Sequence, residues 1–133
     1  MAGWSCDPEF GPVPEWLREV ADAALADLQR PTPIRVRLGW ESGAGILWVS
    51  EAGESGKSGF EPWSEAPGAG EVVRLADWLQ EQFFPETRGA WGEARPECPG
   101  HSHPAEAVEI GGEAWWVCPV DGRRIAAIGQ IGE

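Results

Sequence analysis

The sequence predicts an α+β fold: a helix-hairpin-helix body followed by a C-terminal three-stranded β meander. Three observations carry that expectation. One apolar stripe runs at helical spacing from residue 14 to residue 30, strict alternation begins at residue 34, and a second helical stripe precedes a stretch of short β-type runs and turn residues. The chain has 133 residues, the length of one domain or one domain with a small appendage at roughly 100–200 residues per domain. The expected division places the body at 1–97 and the meander at 98–133.

Residues 1–13 are rich in proline, glycine and acids without a period, and read as an extended lead-in. Pro14 opens the first helix, because a first helical position has no partner for an N–H. Trp16, Leu17, Val20, Ala21, Ala24, Leu25 and Leu28 fall on one stripe, which ends before Pro31. After Pro33 the period becomes two, with Ile34, Val36, Leu38 and Trp40 alternating against Arg35, Arg37 and Gly39 as a half-buried strand. Ser42-Gly43-Ala44-Gly45 supplies turn residues, and the run from Ile46 to Ser50 pairs back as a hairpin. These spacings put Trp16, Trp40 and Trp48 on buried faces.

Residues 51–70 read as a long glycine-rich loop with room for one short strand, pinned to the body by Phe60 and Trp63. Val72, Leu75, Ala76, Leu79 and Phe83 then give a second helix from Glu71 to about Phe84, with Trp78 on the border of its apolar face and Pro85 as the stop. Residues 85–97 are turn-like. Gly56-Lys57-Ser58 imitates the end of a phosphate-binding loop, but Glu51 stands where the full pattern needs glycine. Nor can Ser58-Gly59-Phe60-Glu61-Pro62 start the helix that would hold the anion. Neither Ser55 nor Ser58 fits the G-x-S-x-G pattern of a serine nucleophile.

Charge narrows the function classes. Ten Lys plus Arg stand against 22 Asp plus Glu, a net charge of -12, and both halves of the chain are acidic. Binding to nucleic acid or to an anionic membrane needs clustered cations, so neither is expected as a partner. No run approaches the ~20 apolar residues of a membrane span, which points to a soluble globular protein. The start, Met-Ala-Gly-Trp-Ser-Cys-Asp-Pro, lacks the charged and apolar regions of a signal peptide, so the expected compartment is the cytoplasm. Nine Arg against one Lys, with 18 Gly and 12 Pro, is the usage expected of GC-rich codons and suggests a high-GC bacterial source.

The chemistry concentrates near the C-terminus. Three cysteines are an odd number, and in a reducing compartment thiols serve more often as metal ligands or core residues than as disulfides. Cys98-Pro99-Gly100-His101-Ser102-His103-Pro104 makes one knuckle-like turn and Cys118-Pro119-Val120-Asp121-Gly122-Arg123 a second. Between them, Gly111-Gly112 is a two-residue hairpin turn. It sets Ile110 opposite Glu113, Val108 opposite Trp115 and Ala105 opposite Cys118, making His103 a diagonal neighbour of Cys118. Residues 123–128 add a third strand.

Over residues 98–131 the chain resembles a zinc ribbon, whose two C-P-x-C-G turns aim four thiolates at one metal. His101 stands at the second ligand position and Asp121 at the fourth, so the ribbon is degenerate. Ligand softness and count point to zinc as cofactor, held by Cys98, His101, His103 and Cys118 as a closed Cys₂His₂ set. Asp121 takes the place of His103 if the second knuckle closes like a true ribbon; otherwise it is free to orient a histidine. A Cys98–Cys118 disulfide and a metal-free ribbon are the rival readings. A zinc deaminase signature is only faintly echoed, since Ala105 stands where its glutamate belongs and no C-x-x-C occurs. Cys6 reads as an ordinary thiol.

Nine tryptophans exceed what a small core needs, and the adjacent Trp115 and Trp116 must point to opposite faces of one strand. One is expected to pack against the helices and the other to serve a contact surface for a protein partner or a homodimer. The expected role is a non-enzymatic, zinc-binding interaction or adaptor protein. The alternatives are an acidic inhibitor or immunity-type protein blocking a basic partner, and a small zinc-dependent hydrolase.

Overall fold

The computed structural model describes residues 4–30, 32–62, 68–87 and 92–131. Its fold is mixed α+β, with two α-helices and two sheets among the described residues. The first sheet has the order β1 (Trp4–Cys6), β2 (Val36–Glu41), β3 (Ile46–Glu51), β4 (Lys57–Phe60), with β1 parallel to β2 and the other pairs antiparallel. The second is an antiparallel meander of β5 (Glu106–Ile110), β6 (Glu113–Val117) and β7 (Arg124–Ala127). None of the described helices is long and apolar enough to cross a membrane.

The expected helix-hairpin-helix body is not what forms. The β2–β3 hairpin is present, but it is the middle of a four-stranded sheet. Part of the lead-in becomes β1, and Gly11 bridges to Trp40. Three residues are too few to show a period, and their parallel pairing depends on the chain returning across a helix, so no local signal marks them. β4 is the short strand for which the glycine-rich segment had room. It carries Lys57 and Ser58 as strand residues, and Phe60 at its end is buried. Trp63 lies outside the described residues, as does Pro31.

Helix α1 (Glu15–Leu28) starts behind an extended Pro14 whose carbonyl accepts the N–H groups of Leu17 and Arg18. Its stripe of Leu17, Val20, Ala21, Ala24, Leu25 and Leu28 is buried in one core with Val36, Leu38, Leu47 and Val49 of the sheet. Helix α2 (Ala69–Trp78) begins two residues before the expected Glu71, then widens into a π-helical turn over Leu79–Phe83 and a 3₁₀ turn over Phe84–Glu86. The widened turn carries Gln80, whose Nε2 donates to the carbonyls of Arg95 at 2.7 Å and Ala105 at 2.8 Å. Leu75, Ala76, Leu79, Phe83 and Phe84 share one core with Ala105, Ala107, Trp116 and Ile128 from the C-terminal region.

The tryptophans separate as the pleat requires. Trp16 and Trp40 are half-buried and meet edge to face at 6.0 Å. Trp48 corrects the expected burial: Leu47 and Val49 occupy the core side of β3, which leaves Trp48 on the opposite face. There it stacks on Phe10 at 5.8 Å and donates Nε1–H to Glu41. Phe10 comes so close to β2 that a Cβ on Gly39 would lie 2.6 Å from the Phe10 Cβ. Gly39→Ala is therefore expected to destabilise the fold by about 1–3 kcal/mol through overpacking, read as a lower denaturant midpoint.

Asp7 belongs to the same cover over that face. Its carboxylate pairs with Lys57 Nζ at 2.6 Å and accepts the Glu9 N–H at 3.0 Å. Burial pushes this carboxyl up, but the Lys57 hydrogen bond, the Glu9 N–H and the charges of Lys57 and Arg37 outweigh it, so the net value lies below that of an ordinary Asp. A depressed folded value means that Asp7 stabilises the fold above the unfolded-state pKa and loses that contribution as pH falls through the folded one. The stability gap between wild type and Asp7→Asn should accordingly be widest near neutrality and close below about pH 4; a gap that widens in acid would contradict it.

Candidate metal centre

Two knuckles form where the sequence places them, and backbone hydrogen bonds build each. In the first, His101 N–H donates to the Cys98 carbonyl at 2.9 Å and Cys98 N–H to the His103 carbonyl at 3.1 Å, with Gly100 at φ 84°. In the second, Gly122 N–H donates to the Cys118 carbonyl and Cys118 N–H to the Arg123 carbonyl, both at 2.8 Å, with Gly122 at φ 75°. The two positive φ values are the reason glycine recurs in these turns. Gly111 and Gly112 also have positive φ, 59° and 83°, as a type I′ hairpin turn needs. The resulting register pairs Ile110 with Glu113, Val108 with Trp115 and Glu106 with Val117, so Cys118 leaves β6 beside the residues that lead into β5.

Cys98, His101, His103 and Cys118 are brought together, with one ligand atom from each lying within 4.8 Å of all the others. Both cysteines are free thiols and fully buried, while both histidines are half-buried. His101 Nδ1 sits 3.3 Å from Cys98 Sγ and 3.6 Å from Cys118 Sγ. With Zn–S near 2.3 Å and Zn–N near 2.0–2.1 Å, a tetrahedral centre needs its sulfur and nitrogen ligands about 3.5 Å apart. The two imidazoles stack at 4.7 Å between centroids. A carbonyl can only accept, so the 3.2 Å contact of His103 Nδ1 with the Pro104 carbonyl places the proton on Nδ1. The other ring nitrogen, Nε2, is buried and without a hydrogen-bond partner. An unpaired buried polar atom is costly in a protein and is what a metal ligand looks like in the absence of its ion.

Electrostatics fit the same donor set. Burial and the neighbouring Cys118 sulfur push the Cys98 thiol up, against a smaller opposing effect of the Arg123 charge. Two buried sulfurs ionise together only beside a strong cation, and a divalent metal supplies one. Asp121 stays outside the four-residue group. Its Oδ1 accepts the Arg123 N–H at 2.8 Å, and this hydrogen bond, helped by one from the Cys118 thiol and by the Arg123 charge, outweighs burial and holds its carboxyl below the ordinary value. Cys6 is exposed on β1, apart from the site.

Several residues that hold the site's surroundings escaped the sequence reading. Asp27, fully buried on α1, accepts the Trp116 indole N–H at 2.7 Å, the Gly129 N–H and the Ile131 N–H at 3.0 Å. Its signal was legible, because it falls three residues after Ala24 and seven after Val20 on the apolar stripe. Arg95, also buried, donates Nη1–H to the Leu28 carbonyl at 2.6 Å and so satisfies the end of α1. Of the adjacent tryptophans, Trp116 is the one in the core, and half-buried Trp115 lies under the Arg124 guanidinium at 5.1 Å. Compared with known proteins, the chain matches no family model, no curated protein and no solved structure.

Proposed function

We propose that the chain is a zinc-binding protein in which Cys98, His101, His103 and Cys118 hold one structural Zn²⁺. The observation that carries this reading is the convergence of four ligand atoms within 4.8 Å, one of them a buried imidazole nitrogen with no other partner. Two thiolates and two imidazoles match the softness and the coordination number of zinc. Four protein ligands fill a tetrahedron and leave no position for a reacting water, which favours a structural metal over a hydrolytic one. The metal then acts as a tie for residues 98–133, a segment with little apolar surface to bury by itself.

Beyond the metal, we read the chain as an intracellular interaction or adaptor protein. The charge of -12 supports a partner with a basic surface and disfavours a second copy of this equally acidic chain. Zinc titration of purified protein tests the central reading: the expected result is one zinc per chain and, with cobalt in its place, the visible spectrum of a tetrahedral thiolate site. Absence of stoichiometric uptake would overturn it.

A further inference from the structure

Arg123 touches both knuckles. Its backbone is built into the second, the carbonyl accepting Cys118 N–H and the N–H donating to Asp121 Oδ1, each at 2.8 Å. Its side chain reaches across to the first. Nη2 donates to the Pro99 carbonyl at 3.2 Å and lies 4.0 Å from Cys98 Sγ, while Nη1 lies 3.9 Å from Asp121 Oδ2. The next residue, Arg124, instead sets its guanidinium over Trp115.

Cys98 Sγ is buried, and the Arg123 guanidinium, by donating to the Pro99 carbonyl, ties the turn that carries this sulfur to the second knuckle. A cation beside a thiolate also draws on the electron density with which that sulfur attacks an electrophile. We infer that Arg123 is a positioning residue of the metal centre, latching the first knuckle over the ion and shielding the Cys98 thiolate. This role rests on the reading of Cys98, His101, His103 and Cys118 as zinc ligands.

The test uses the zinc-loaded full chain as wild type, Arg123→Ala, Arg123→Lys and Arg124→Ala. Each is treated with N-ethylmaleimide, the modified cysteine is located by mass spectrometry, and released zinc is followed with a coloured chelator. Arg123→Ala should accelerate both processes on the order of tenfold, the scale of effect seen when a residue supporting a metal ligand is removed. The gain should fall on Cys98 more than on Cys118, because the guanidinium lies against the Cys98 sulfur. Arg123→Lys should fall between, and Arg124→Ala should match wild type. An unchanged rate in Arg123→Ala, or equal acceleration at both cysteines, overturns the role of Arg123 while leaving the metal centre standing. A wild-type chain that takes up no zinc overturns the metal centre and this role with it.

Discussion

Cys118→Ser is expected to lower zinc affinity on the order of a hundredfold or more. Structural zinc sites bind with about 10–16 kcal/mol, or about 3 kcal/mol for each of four ligands, and 1.4 kcal/mol is a factor of ten. Serine puts a hard, protonated hydroxyl where a soft thiolate belongs, and it does so inside a turn already fixed by the Cys118 N–H to Arg123 carbonyl bond. The consequence for the fold is local. Without the metal, the amides of Cys98, His101, Cys118 and Gly122 should exchange with solvent faster, while those within α1 and α2 stay protected. Hydrogen exchange on wild type with and without chelator, beside the variant, checks this. Uniform loosening of the whole chain would show that the metal is not a local tie, and unchanged uptake by Cys118→Ser would remove that residue from the ligand set.

Asp27→Ala is expected to cost about 3 kcal/mol or more, because it strands three buried donors and each unsatisfied group costs about 1–3 kcal/mol. Those donors are the Trp116 indole and the backbone N–H groups of Gly129 and Ile131, so one carboxylate ties α1 to β6 and to the chain after β7. A thermal melt should show a fall on the order of 10 °C. The pH dependence has the opposite sign to that of Asp7. Burial pushes the Asp27 carboxyl above the ordinary value in spite of its three donors. The folded protein therefore holds this proton more tightly than the unfolded chain does, and Asp27 contributes most below the unfolded pKa and progressively less as pH rises through the folded one. The difference between wild type and Asp27→Ala should grow on mild acidification; a difference that shrinks there would contradict the assignment.

What could be read from the sequence was local. Helix α1, the β2–β3 hairpin and the register across Gly111-Gly112 each depend on spacing within about 25 residues, and each has its own turn or stop signal. The clustering of Cys98, His101, His103 and Cys118 followed from that register, because the hairpin returns one knuckle to the other. Long-range pairing was not legible. β1 joins β2 across the whole of α1, and the cover that Phe10, 38 positions earlier in the chain, lays over Trp48 on the other face of the sheet has no local signal. The π-helical turn at Leu79–Phe83 was likewise hidden, since an apolar stripe gives the same pattern whether the last turn is α or π.

X-ray absorption at the zinc edge of the purified protein is the most direct test of the metal centre. The account predicts four ligands, two sulfurs near 2.3 Å and two imidazole nitrogens near 2.0–2.1 Å, with no bound water. A shell of oxygens, a single sulfur, or protein that carries no zinc would contradict it.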